Sequence, residues 1–412
     1  LFDNDMETKK QARLYPKLIC MWINVMREKI SLAEQKRFCE NAIHILKQFK
    51  TMHDITELLR IYVSVLNELQ EEKICFYQKY LETFIAIFEQ ANISTKFQPE
   101  VLTGRREKIF LITEYLYAKR MEKGLTQEKA SETICTPETY SRIETGKRTP
   151  SMKNLKLLTE KLGIEWYRYR GELDTDNLKV YLLRQKERAA ALEHRWEDIL
   201  YNTQQMEYLL DMKQPMNFQY IKERQIFAEW NLGRISAEDA YEQSKKLLEM
   251  TTHMHTENRF LYYSQTEMEI IAKMAQYLQV QKKYEEGITL LEGVLKNQRK
   301  SRVTFIYQWN GLDFIIRVLG SLYFRTGRYE DSNRAKKYSY QINLKIRDAD
   351  NLGELLDAIA DNFEHMGRQY SEIYQKLYRQ TYYVGDFFGF SHIASFGKQY
   401  YEENFDANIK WY

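Results

Sequence analysis

Apolar residues recur through the middle of the chain at the spacing of short amphipathic helices, and residues that stop or start helices separate them. In "IFLITEYLYAKR" the positions Ile109, Ile112, Leu116 and Arg120 share one helical face, which predicts a helix over about 107–122. Gly124 closes it at the position where a left-handed backbone favours glycine. Thr126 is placed to cap a second helix, "QEKASETI", with Ala130 and Ile134 facing inward. Thr136 caps a third helix, and Pro137 fits its first turn, where no backbone N–H is needed. Along that helix Tyr140 and Ile143 face a core, which leaves Pro137, Glu138, Thr139, Ser141 and Arg142 toward solvent. Gly146 ends it, and Ser151 caps the next helix, "MKNLKLLTEKLG". Four short helices with caps at these spacings predict a compact bundle.

Longer helices flank the bundle. After Gly171 comes one long helical pattern, "TDNLKVYLLRQKERAAALEHRWEDILYN", and then paired helices separated by "NLGRISAEDA", "QVQKKYEEGI", "FRTGRYEDSN" and "EHMGRQYSEI". A polar or glycine turn followed by an aromatic, two acids and a small residue resembles the start of the second helix in a tetratricopeptide hairpin. The breaks lie farther apart than the usual repeat of about 34 residues, which implies extended helices. A hairpin cannot bury its apolar face alone, so stacking into a curved solenoid follows. Residues before the bundle have the same rhythm, in "MREKISLAEQKRFCENAIHIL" and "ITELLRIYVSVLNELQEEKICFYQKYLETFIAIF". Setting 15–93 against 312–390, an offset of 297, aligns Glu57-Leu58-Leu59 with Glu354-Leu355-Leu356 and Tyr77-Gln78-Lys79 with Tyr374-Gln375-Lys376. Nine of 79 positions are identical, and the matches cluster. The N-terminal segment reads as the tail of an upstream copy of the array, and the bundle as the start of the second copy. The chain opens on Leu1 rather than Met, as a fragment or processed form would.

Composition agrees with an all-α protein of 412 residues: five Pro and 16 Gly against 31 Tyr and 20 Phe. Cys20, Cys39, Cys75 and Cys135 are far apart, the usage of a reducing compartment with buried thiols. No apolar run reaches the roughly 18–20 residues of a membrane span, and the chain reads as soluble and cytoplasmic with no membrane partner. Net charge is +3, but its distribution is uneven. Residues 104–170 hold 15 Lys and Arg against nine Asp and Glu, leaving the remainder with 46 against 49. The basic excess thus belongs to the bundle, where phosphate would be met.

A helix in the major groove reads base edges with its first residues while the preceding helix braces on the backbone. Glu138, Thr139 and Arg142 are therefore the candidate base readers. Thr126, Gln127, Ser141, Lys147 and Arg148 are placed for phosphate, with Thr136 and Pro137 at the helix start. The stretch resembles the Xre/Cro-type helix–turn–helix, through Leu125-Thr126-Gln127-Glu128, Ser141-Arg142-Ile143-Glu144, Gly146-Lys147-Arg148 and Pro150. Glu132, Ile134 and Cys135 bring it near the peptide-responsive Rgg/PlcR-type regulators. The resemblance covers about 65 residues and implies that Gln127 and the front of the third helix face DNA, with Glu144 largely structural. Ala130 and Tyr140 depart from the pattern, which expects a larger aliphatic and Ile, Leu or Val.

No phosphate loop, zinc-protease motif or nucleophile elbow is present, and the seven histidines make no ligand spacing, so neither an enzyme nor a cofactor or metal is expected. In the array, Arg224, Asn231, Tyr307 and Asn310 are candidates to hold a peptide, with Gln308 and Arg317 weaker ones. The resulting domains are 1–98, a helical repeat segment; 104–170, the DNA-binding bundle; and 175–412, a sensor and dimerisation array. The expected function is a DNA-binding transcriptional regulator whose array senses a peptide or protein, acting on double-stranded DNA as a homodimer. The alternative is an interaction scaffold with a vestigial bundle, which Glu138 favours because a carboxylate at the helix tip repels phosphate.

Overall fold

The computed structural model describes residues 12–96, 116–117, 119–148, 150–163, 173, 175, 177–252, 263–299, 309–368 and 371–404. Among them the chain is all-α, as its pattern predicts, apart from one isolated antiparallel bridge between Thr51 and Asp348. No helix of the described residues is long and apolar enough to cross a membrane. Two compact units form: 101–326, and a second made of 1–100 with 327–412.

The unit 101–326 begins with the bundle. Its helices are α1, helical at 116–117 and 119–122, then α2 (Gln127–Ser131), α3 (Pro137–Glu144) and α4 (Met152–Leu162). The array continues with α5 (Leu178–Leu192), α6 (Trp196–Glu207), α7 (Pro215–Asn231), α8 (Ala237–Glu249), α9 (Gln265–Val280), α10 (Tyr284–Arg299) and α11 (Trp309–Arg325). The long pattern after Gly171 is two helices, not one. Glu193 ends α5, His194 takes a left-handed φ of 56°, and the Arg195 N–H returns to the Ala190 carbonyl at 2.9 Å. That is a Schellman closure with histidine where glycine is usual. Neighbouring helices pack as hairpins, and α7 also meets α9, as α9 meets α11. First helices of successive pairs therefore stack on one another, as in a solenoid.

The other unit holds four N-terminal helices, α12 (Tyr15–Met26), α13 (Leu32–Gln48), α14 (Ile55–Glu68) and α15 (Ile74–Gln90). With them fold α16 (Tyr329–Ile346), α17 (Leu352–His365), α18 (Glu372–Phe388) and α19 (Ser391–Asn404). One apolar core joins both sets, and α13 and α15 pack on α18. Phe84, Phe387 and Phe388 are fully buried in it, each stabilising the unit by about 1.5–3 kcal/mol. Gly385 and Gly397 let α18 and α19 approach closely: a Cβ on Gly385 would lie 2.8 Å from the Ala394 backbone nitrogen.

Candidate nucleic-acid interface

The bundle's caps form where the sequence places them. The Thr126 hydroxyl accepts from the Lys129 N–H at 3.3 Å, Thr136 from Thr139 at 3.2 Å, and Ser151 from Asn154 at 3.2 Å. Gly124 and Gly146 take φ of 62° and 72° at the helix ends. Leu116, Ala130, Tyr140, Ile143, Leu158 and Leu162 make the core, so small Ala130 and large Tyr140 share one packing volume. Burial pushes the Tyr140 phenol upward, with Glu144 adding to the shift. Residues before 116, including Ile109 and Ile112, lie outside the described residues.

A charged clamp sits behind the third helix. Arg120 Nε donates to Glu144 Oε1 at 2.5 Å, its Nη2 to Oε2 at 3.1 Å, and its Nη1 to the Leu125 carbonyl at 2.8 Å. Gln127 Nε2 donates to Glu144 Oε2 at 2.8 Å. Helices α1, α2 and α3 thus meet at one buried carboxylate, and the hydrogen bond to it raises the Arg120 pKa. The clamp engages Gln127, a candidate phosphate contact, from the inside and leaves it half-buried.

On the outward side of α3, Pro137, Glu138 and Arg142 are exposed, while Thr139 and Ser141 are half-buried. Thr126, Thr136, Lys147 and Arg148 are exposed too. The turn after Gly146 folds back, with the Arg148 N–H donating to the Arg142 carbonyl at 3.0 Å. This brings Arg148 Nη1 within 3.2 Å of the Thr139 hydroxyl, which also accepts from Thr136 at 3.0 Å. A residue assigned to phosphate therefore stands beside one assigned to bases. Spacing alone did not reveal that neighbourhood, because it depends on the left-handed turn at Gly146.

Residues 116–167 match the helix-turn-helix family model. No curated protein matches the chain in sequence. Among solved structures, the chain is similar to PlcR of Bacillus thuringiensis in complex with the peptide PapR7 and DNA, at 19% identity and TM-score 0.45, over 70% of this chain and 98% of that one. It is similar to ComR from S. thermophilus in complex with DNA and its signalling peptide ComS, at 13% identity and TM-score 0.42, over 71% and 99%. The SHP pheromone receptor Rgg2 of Streptococcus dysgalactiae is similar at 12% identity and TM-score 0.33, over 71% and 99%.

Beyond the helix–turn–helix, the array candidates Arg224 and Asn231 both lie on α7. Arg224 is half-buried among carboxylates from α5, α7 and α9. Its Nε is 3.1 Å from Glu187 on α5 and its Nη2 2.6 Å from Glu269 on α9, and Nη1 pairs with Glu223. Lys273 closes the group by pairing with Glu223. Burial pushes the Glu269 carboxyl up, but Arg224 and Lys273 outweigh it and hold the group at about 2. The Asn231 amide donates to the Phe227 carbonyl of its own helix at 2.8 Å. Asp313 holds Arg317 Nε at 3.1 Å. Tyr307 and Gln308 lie outside the described residues, as does the side chain of Asn310 in the first turn of α11.

Proposed function

We propose that the chain is a cytoplasmic transcriptional regulator that binds double-stranded DNA through its helix–turn–helix and takes a signalling peptide or partner protein in its helical array. One observation carries the DNA part. α3 turns Glu138, Thr139 and Arg142 outward beside Lys147 and Arg148, while Tyr140, Ile143 and Glu144 anchor its back. A rigid helix with a basic turn at its end fits the major groove, the turn meeting phosphate and the helix meeting bases. Glu138 then faces a cytosine amino group, the base-edge donor a carboxylate accepts from. The array part rests on the stacking of α7, α9 and α11, which places first helices side by side as a surface for an extended peptide. A ligand there would act by changing the spacing of two paired recognition helices. This reading involves no reaction and no cofactor.

Selection from a random DNA pool tests it, followed by binding measured against salt. Lys147→Ala with Arg148→Ala should weaken binding about uniformly across sequences and reduce the salt slope by about one unit for each phosphate contact removed. An unchanged slope would place the phosphate contacts elsewhere. Failure to retain any DNA at low salt would favour the scaffold reading.

A further inference from the structure

The unit formed by 1–100 and 327–412 contains the same backbone plan twice. Adding 297 to the residue number carries α13 (Leu32–Gln48) into α16 (Tyr329–Ile346) and α14 (Ile55–Glu68) onto α17 (Leu352–His365). It also carries α15 (Ile74–Gln90) onto α18 (Glu372–Phe388) to within one residue. The same step carries the left-handed residues Lys50, Gln70 and Asn92 onto Arg347, Gly367 and Gly389, which are left-handed too. L-residues avoid that conformation, so three coincidences go beyond a shared helical period.

The two modules meet at the first of these turns. Thr51 and Asp348, equivalent under the step, face each other in the bridge. The Met52 N–H donates to the Arg347 carbonyl at 2.8 Å, and the Ala349 N–H to the Lys50 carbonyl at 2.9 Å. Exchanging the modules turns one bond into the other. The side chains follow the exchange only in outline, on carbonyls three positions apart in the step: Lys50 donates to the Phe388 carbonyl and Arg347 to the Ser94 carbonyl. Lys50 also lies 4.8 Å from the Phe390 ring and Arg347 4.1 Å from the Phe88 ring. Lys50 thus sets a cation at the carbonyl end of α18, where the helix dipole favours it, while Arg347 meets the segment that follows α15. The equivalent helices α15 and α18 pack ring on ring, with Tyr80 and Phe387 centroids 5.0 Å apart and Phe84 and Phe388 5.9 Å apart. The ring pairs are not themselves exchanged by the step, but the reciprocal backbone bonds at the turn mark an isologous, two-fold interface.

We propose that this face of α18, with the turn between α16 and α17, is a self-recognition surface, and that residues 12–96 occupy it in cis in place of a second copy of residues 329–388. The unit is then a pseudo-dimer within one chain, whose pairing is set by the tether and not by protein concentration. A second whole chain cannot use this face without displacing α12–α15, so any pairing of two chains takes place elsewhere.

Cysteine trapping tests the assignment. Flanking hydrogen bonds make Thr51 and Asp348 a non-hydrogen-bonded pair with Cα atoms about 4.5 Å apart, within disulfide reach. With Cys75 and Cys135 replaced by serine, Thr51→Cys with Asp348→Cys should oxidise to an internal disulfide. The product should keep the mass of one chain at every protein concentration tested. Differently tagged chains, one carrying Thr51→Cys and the other Asp348→Cys, should give no mixed dimer. A disulfide-linked dimer in either case, or folded chains with both thiols free, would overturn the proposal. Independently of these variants, lysine cross-linking of mixed normal and heavy-nitrogen wild-type chains should join 12–96 to 329–404 within one label only. Mixed-label links between those segments would overturn it.

Discussion

Glu144 accepts from Arg120 on α1 and Gln127 on α2 while its own backbone belongs to α3. Its side chain is 3% exposed and that of Arg120 10%, whereas the surface pair Lys119 and Glu122 is 33% exposed on both sides. Surface pairs contribute about 0–1 kcal/mol, but removing one partner of a buried pair costs roughly 3–5 kcal/mol. Glu144→Ala should therefore loosen 116–163 ahead of the array, seen as lost hydrogen-exchange protection confined to the bundle. Uniform protection loss, or none, would contradict this. On the outer side, Thr139→Ala with Arg142→Ala should erase sequence preference, at roughly 1–3 kcal/mol for each base contact, and leave the fold intact. Selection of the wild-type operator by the double variant would move the reading face elsewhere. Local chemistry made the caps at Thr126, Thr136 and Ser151 legible in the sequence. The pairing of Arg120 with Glu144, 24 residues apart, was not, because it depends on how helices cross.

Each break between paired helices turns on one left-handed residue: Gly233, Lys282, Gly327 and Gly367. Glycine takes that backbone without steric cost, whereas an L side chain pays roughly 1–2 kcal/mol. Lys282→Gly should thus stabilise the α9–α10 hairpin by about 1 kcal/mol, less the extra freedom glycine brings to the unfolded chain. A raised midpoint in chemical denaturation with an unchanged slope is the expected reading, and a lowered midpoint would show that Lys282 holds the turn by other contacts. The same substitution pattern explains what was hard to read. Two of the four breaks, at Lys282 and Gly327, were visible from the aromatic-acid-acid openings Tyr284-Glu285-Glu286 and Tyr329-Glu330-Asp331, even where lysine replaces glycine. The stop at His194 was not, because a histidine in the left-handed position interrupts no apolar rhythm. The array was legible as rhythm, and its individual ends only where glycine, a capping serine or an aromatic-acid-acid opening marks them.

Residues 32–93 and 329–390, with eight identities in 62 positions, share their turns and, to within one residue, their helix bounds, so the plan of this unit lies in backbone geometry more than in residue identity. They differ in buried charge. Burial holds the Lys336 ammonium down at about 8, with Asp361 and Asp357 opposing, while burial and Asp361 push Asp357 up to about 6. The equivalent positions in the N-terminal module are Cys39, buried and uncharged, and Arg60, half-exposed beside Glu57. Only the C-terminal module should therefore respond to pH through this pair. Lys336 has a folded pKa below the unfolded value of about 10.4. Between these values the unfolded chain binds more protons, so stability rises with pH, and the cost is fully present below about 8. Asp357 has a folded pKa above the unfolded value of about 3.9. Its contribution is fully present below that value and is lost as pH rises through about 6. The two together predict a stability minimum between about 6 and 8. Lys336→Met should flatten the alkaline limb and Asp357→Asn the acid limb, as measured by hydrogen exchange of 329–365 across pH. Equal responses in 32–68 would mean that the modules unfold as one body, and the pH dependence would then belong to their interface rather than to this pair.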